Sequence, residues 1–269
     1  MLSLQGVSKR YGGLPALADV SFEVEAGTVT ALIGPNGAGK STALNCISGL
    51  LRPDAGSITF GGREVTGLAA HRIARLGMAR TFQNLKIFPR LSVLDNVLCG
   101  LSVRAGRSLL LAMLRPPRLR HRERALRLRA LAALDVLGLT ERAHIPAGVL
   151  PYGEWKRLEM ARAFVSDPLI ALLDEPVAGL NADETAQVAA LIRSLRAAGR
   201  TMLLIEHDMD LVMGVSDWVV VLDGGRVIAR GTPEEVRKNP LVLEAYRGQA
   251  ACAAAVKGEG ALGTDPVVG

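Results

Sequence analysis

Eight consecutive residues, Gly34-Pro35-Asn36-Gly37-Ala38-Gly39-Lys40-Ser41, constrain this chain more than any other stretch. They follow the β-rich run Thr28 to Ile33 and precede a helical run from Lys40 to about Leu50. G-x-x-x-x-G-K-[ST] between a strand and a helix is the pattern of a phosphate-binding loop. Its glycines let successive backbone N–H groups turn inward around an anion, and the helix adds the positive end of its dipole. Lys40 then reaches the β- and γ-phosphates and Ser41 ligates Mg²⁺. A plain glycine-rich turn would share the composition but not the placement. The expected contacts of a nucleoside triphosphate are Gly34, Pro35, Asn36, Gly37, Ala38, Gly39, Lys40, Ser41 and Thr42.

The apolar run Leu169 to Leu173 ends in Asp174 and Glu175. A strand buried on both faces presents carboxylates only at its end, and in parallel sheets that end is where ligands collect. Two acids after a strand are by themselves as often a solvated turn. Together with the loop they read as a Mg²⁺-side carboxylate, Asp174, and a group that polarises water for attack on the γ-phosphate, Glu175.

Around these sites the chain alternates. Short strands are expected at Leu2 to Val7, Ser21 to Val24 and Ser57 to Phe60, with a hairpin-type turn at Gly61-Gly62. From Val93 to Leu137 helical composition takes over, broken at Arg115-Pro116-Pro117-Arg118. A helix from Pro151 to about Val165, the strand above, and a helix from Ala182 to Ala198 opened by an Asn181/Glu184 capping box follow. Then come a strand at Thr201 to Ile205, a helix at Asp208 to Val215, and a hairpin of Trp218 to Leu222 with Val227 to Arg230. Thr232-Pro233-Glu234-Glu235 is a second capping box, and the Ala/Gly/Val-rich tail 249–269 reads as disordered.

Hydrophobic residues make up 49% of the chain, yet the longest apolar runs fall far short of the roughly 20 residues a membrane span needs. No signal-peptide pattern opens it, and three widely spaced cysteines, Cys46, Cys99 and Cys252, suit a reducing compartment. The expectation is a cytosolic protein. Its net charge of +6 is concentrated: nine arginines lie between Arg104 and Arg129 against one acid, Glu123. The remainder is slightly acidic, so a basic partner surface means that segment alone.

Leu150-Pro151-Tyr152-Gly153-Glu154-Trp155-Lys156-Arg157 resembles the signature motif of ATP-binding cassette (ABC) proteins. The resemblance covers about Leu2 to Gly248 and supplies further roles. Tyr11 resembles the aromatic that stacks on adenine. Gln83, in Thr81-Phe82-Gln83-Asn84, resembles the Q-loop residue, a Mg²⁺ and catalytic-site group. Ala178-Gly179-Leu180-Asn181 resembles the D-loop and His207 the switch histidine. It implies an α/β fold of ABC ATPase type: a P-loop NTPase core with a RecA-like mixed or parallel sheet, an antiparallel β subdomain and a helical subdomain at about 90–165. A single ABC domain would span 1–248.

Gly77 to Asn84, Ile205 to Met209 and Gly231 to Glu235 with Asn239-Pro240 are similar to the larger ATPase subunit of branched-chain (hydrophobic) amino acid importers. This implies ATP and Mg²⁺ as cofactors, and a site shared head-to-tail with a second ATPase subunit, a heterodimer or alternatively a homodimer. Tyr152, Gly153 and Glu154 would face the nucleotide held by that subunit. Integral-membrane permeases are the implied partners, with a periplasmic binding protein indirectly and no nucleic acid, on the cytoplasmic side of the membrane. The basic segment would face headgroups or permease loops, or else be a solvated loop. The alternatives are the ATPase of a lipid or lipopolysaccharide exporter, or a nucleotide-gated subunit with little turnover. Two departures stand out: Pro151 where the signature often has Ser, and Asn181 where D-loops often have Asp.

Overall fold

The computed structural model describes residues 1–81, 87–101 and 117–246. Strands β3 (Val29–Ile33), β7 (Ile170–Asp174), β8 (Met202–Ile205) and β9 (Trp218–Asp223) form the centre of a six-stranded sheet. Its order is β10-β9-β3-β8-β7-β6, with β6 (Met78–Arg80) and β10 (Arg226–Gly231) at the edges. All pairs are parallel except β10 with β9. Every residue of β3, β7 and β8 is buried, which is why these strands read as nearly continuous apolar runs, interrupted by Thr30 and ended by Asp174.

Side chains alternate between the two faces. On one face Leu32, Leu172, Leu203 and Ile205 pack with Ala43, Leu44 and Ile47 of helix Lys40–Ile47. That cluster continues into a four-stranded antiparallel sheet, order β2-β1-β4-β5, through Leu4, Val20 and Phe22. Its strands are β1 (Leu2–Tyr11), β2 (Leu14–Val24), β4 (Ala55–Phe60) and β5 (Arg63–Glu64). On the other face Leu173, Met202 and Leu204 pack with Leu158 of helix Tyr152–Phe164 and Ile192 of helix Ala182–Ala197. The same cluster takes in Val97 of helix Val93–Gly100 and Leu134 of helix Pro117–Val136.

Both expected capping boxes form in both directions, at Asn181/Glu184 and Thr232/Glu235. Three expectations are corrected. β1 and β2 run to Tyr11 and from Leu14, because a hairpin at Gly12-Gly13 lets irregularly registered pairing extend past the apolar stretches. Helix Ala70–Arg75 and edge strand β6 were not foreseen, being too short to carry a period. The first helix ends at Ile47 rather than near Leu50. Gln83, the tail 249–269 and Arg104, Arg107 and Arg115 lie outside the described residues. Of the remaining basic segment, Arg124 and Arg127 are exposed on helix Pro117–Val136, while Arg129 pairs with Asp167 at 3.8 Å. Cys46 is buried, and burial pushes its thiol up to about 11.

Helix Val93–Gly100 meets the helix that follows Pro151 at a close approach, where a Cβ on Gly100 would stand 2.3 Å from the Arg162 carbonyl oxygen. Gly100→Ala should therefore force the two helices apart, at about 1–3 kcal/mol. A urea melt of the variant checks this by its lowered midpoint.

Candidate nucleotide site

Strands β3, β8 and β7 are neighbours, and their carboxyl ends are level: Leu32 pairs with Ile205, and Ile205 with Asp174. The loop 34–41, the acids 174–175 and the pair Glu206-His207 thus emerge side by side from one edge of the sheet. Each motif lies far from the others in sequence, and strand pairing alone makes them one site.

The loop 34–41 is held by its surroundings. Gly34 has φ +146, and a Cβ there would lie 2.0 Å from the Leu222 carbonyl oxygen. Gly39 has φ +101, and its Cβ would meet the Ala16 carbonyl at 2.5 Å. Only glycine satisfies both conditions at each position. The β9–β10 turn clips the loop to β2, with Gly225 N–H donating to Ala38 O (3.1 Å) and Ala18 N–H to Gly225 O (2.8 Å). Helix Lys40–Ile47 carries no side-chain cap and no acid in its first turn, so its leading N–H groups and dipole remain available to an anion. Asn36, Gly37 and Ser41 are exposed at the crest, whereas Gly34, Pro35 and Ala38 are buried beneath it, and Thr42 is half-buried. Lys40 folds back to donate to the carbonyls of Gly34 (2.6 Å) and Pro35 (2.9 Å). Burial lowers its pKa, and the nearby charge of Glu175 partly offsets this.

Asp174 is 6% exposed and its carboxylate takes a hydrogen bond from Arg80 at 2.9 Å. Arg80 also donates to Asn45 Oδ1 and Ser48 Oγ, both at 2.8 Å, so one guanidinium spans β6, β7 and the loop helix. Asp174 N–H donates to Thr81 Oγ1 at 3.0 Å. Arg80 and Thr81 are site residues that sequence reasoning quoted without assigning a role. The signal was present, since a buried carboxylate needs a charged or multiple-donor partner. Among the described residues no group of three or more His, Cys, Asp or Glu could hold a metal alone. One exposed hydroxyl, Ser41, and one carboxylate, whose two oxygens can serve Arg80 and a metal-bound water separately, form a sparse oxygen set. Such a set suits Mg²⁺ bound jointly with phosphates.

Glu175 sits at φ +50, a left-handed conformation that costs a non-glycine residue about 1–3 kcal/mol. Its N–H donates to Ile205 O at 2.9 Å, and its own carbonyl accepts from Lys156 Nζ (2.9 Å) and Ala178 N–H (3.2 Å). Glu206, also missed from sequence, is fully buried. Its carboxylate accepts N–H groups of Val177 (3.1 Å), His207 (3.0 Å) and Asp208 (3.4 Å). Burial raises its pKa and these three bonds oppose the rise. His207 is exposed, its Nδ1 3.8 Å from Glu206.

Tyr11 is 51% exposed on the β1–β2 hairpin. The turn 151–154 opens helix Tyr152–Phe164, with Pro151 at its cap and no side-chain capping bond. Tyr152 is exposed and Gly153 buried, where Glu184 packs so closely that a Cβ would meet its Oε1 at 2.4 Å. Glu154 lies between Arg142 (3.4 Å) and Arg157 (3.9 Å) of its own chain. Among the described residues no hydrogen bond or ion pair joins 151–154 to 34–41. The structure thus brings together the loop, Asp174, Glu175 and His207, but not the signature turn.

The family profile described as ABC transporter matches residues 17–178, and that of the branched-chain amino acid ATP-binding cassette transporter matches 226–246. The chain is 44% identical to the high-affinity branched-chain amino acid transport ATP-binding protein BraF of Pseudomonas aeruginosa, over 93% of this chain and 98% of the relative. It is 42% identical to LivG of Escherichia coli K12, named for the same transport, over the same shares. A lipopolysaccharide export ATP-binding protein, LptB of Acidithiobacillus ferridurans, is 34% identical over 92% and 97%. In structure the chain resembles the ADP conformation of MJ1267, an ATP-binding cassette of an ABC transporter. The TM-score is 0.81 at 32% identity, covering 92% of this chain and 98% of that one.

Bound phosphate favours the charged form of Lys40, so nucleotide affinity should fall as pH rises towards its lowered pKa, below the usual lysine value of 10.5. Titration with a fluorescent ATP analogue from pH 7 to 10 reads this directly. Lys40→Arg, charged throughout, should flatten the profile.

Proposed function

The chain belongs to the ABC transporter family of ATP-binding subunits, and from that premise we propose that it hydrolyses ATP to drive an importer of branched-chain or other hydrophobic amino acids. The observation that carries the chemistry is the level edge at which loop 34–41, Asp174, Glu175 and His207 meet. The relatives' names carry the cargo class, and identity to the branched-chain amino acid transport protein BraF exceeds that to the lipopolysaccharide export protein LptB, 44% against 34%.

ATP lies with its triphosphate in the loop, where backbone N–H groups, the helix dipole and Lys40 take up its charge, and with its adenine against Tyr11. Ser41, Asp174 and Gln83 are the residues that would hold Mg²⁺, which when bound neutralises charge on the β- and γ-oxygens. Glu175 orients the attacking water and accepts its proton, and His207 contacts the γ-phosphate. Lys40 offsets the charge that develops on the phosphoryl oxygens. The left-handed backbone at Glu175 lets a carboxylate stand directly after a buried strand.

The chain acts as half of a head-to-tail pair with a second ATPase subunit, and its Tyr152-Gly153-Glu154 turn closes over the partner's nucleotide. Permeases dock on the assembled pair and a periplasmic binding protein delivers cargo to them. Pro151 caps the signature helix without a hydroxyl or an N–H, so the anion there relies on the following backbone and the dipole. The site built on this signature therefore turns over more slowly than the one built on the partner's.

Glu175→Gln should abolish steady-state turnover and trap an ATP-bound closed pair, visible by size-exclusion chromatography. Retained turnover would remove Glu175 from its role. Pro151→Ser should raise phosphate release by the assembled complex roughly two- to tenfold, the effect of about one added hydrogen bond.

A further inference from the structure

Lys156 has a place that packing alone does not explain. It lies one turn into the helix opened by the signature turn and is 2% exposed. Its partners are the Glu175 carbonyl, at 2.9 Å, and the face of Tyr152, at 5.8 Å from the ring centroid. Among the described residues no carboxylate within 4 Å neutralises it. Burying an ammonium on such partners is unfavourable, and a methionine of similar shape would fill the space without that penalty. What the ammonium does that methionine cannot is grip the main chain of Glu175, the residue held at φ +50.

The same short turn is held at a second point, where the fully buried Glu206 carboxylate accepts the Val177 N–H at 3.1 Å. A buried cation and a buried anion thus each spend their charge on the backbone between Glu175 and Val177. One arrives from the signature helix and the other from the segment bearing His207.

We propose that Lys156 is a positioning residue: by holding the Glu175 carbonyl it fixes the turn that aims the Glu175 carboxylate, and makes that turn move with the signature helix. The proposal rests on the hydrolytic role given above to Glu175. In the head-to-tail pair its consequence is communication between sites. The signature turn answers to the partner's nucleotide, and Lys156 passes its position to this chain's own attacking-water group. Tyr152 adds a second link, since it stacks on Lys156 and lies against Gly179, where a Cβ would stand 3.1 Å from the ring.

The test uses the full chain assembled with its partner ATPase and permeases, with ATP turnover measured against ATP concentration. Lys156→Met should lower kcat at least about tenfold with KM for ATP within about twofold. Lys156→Arg, which keeps a donor, should hold at least about a third of kcat. If Lys156→Met melts more than about 10 °C below the parent, the same split is read on Lys156→Gln, whose shorter donor falls short of the carbonyl. A kcat within twofold of the parent in the donor-deleting variant, or a loss of kcat matched by a rise in KM, overturns the proposal. Glu175→Gln run alongside separates the two levels. If that variant turns over, the hydrolytic reading itself fails; if it is inactive while Lys156→Met is not, only the positioning role fails.

Discussion

The pairing of β3, β8 and β7 in parallel, with Leu32, Ile205 and Asp174 level, is the constraint on which the rest of the structure depends. Parallel strands must return by crossovers, so segments far apart in the chain release their carboxyl ends at one edge. Because the strands are buried on both faces, charged side chains are admitted only where the strands stop. The loop, the two acids and the histidine are neighbours for that reason, and a slip of register would separate the loop from the carboxylates.

That edge carries charges that water scarcely reaches, and each is held by a specific arrangement. Asp174 is matched by Arg80, which is itself tied to Asn45 and Ser48 of the loop helix. Glu206 is matched by three backbone N–H groups, and Lys156 by a carbonyl and a ring. Partial satisfaction of such groups is destabilising, whereas full satisfaction fixes a single geometry. The chain keeps these ions where apolar residues would pack, and the rigidity they impose falls on the segments that bear Asp174, Glu175 and His207.

Much of this was legible from the residues alone. The loop 34–41 and the acids after Leu173 declare themselves because backbone cradles and strand-end carboxylates require particular residue types at fixed spacing. Capping boxes at Asn181 and Thr232 were readable for the same local reason. Strand β6 and helix Ala70–Arg75 were not, since three and six residues carry no period and owe their form to their neighbours. Lys156 and Glu206 were hidden for a related reason. In sequence each is an ordinary charged residue, and only tertiary packing reveals that it is buried and what it holds. Glu154 shows the converse, a motif residue whose charge is taken up by Arg142 and Arg157 of its own chain.

Whether this strand-end constellation binds and hydrolyses ATP is decided by phosphate release from the full chain assembled with a second ATPase subunit and permeases in liposomes, compared with the same assembly carrying Lys40→Ala. Release from the parent should be Mg²⁺-dependent, and at least about a hundredfold less is expected when the variant's own site is isolated by inactivating the partner's. Equal release from the two, or none from the parent, would contradict hydrolysis at this site.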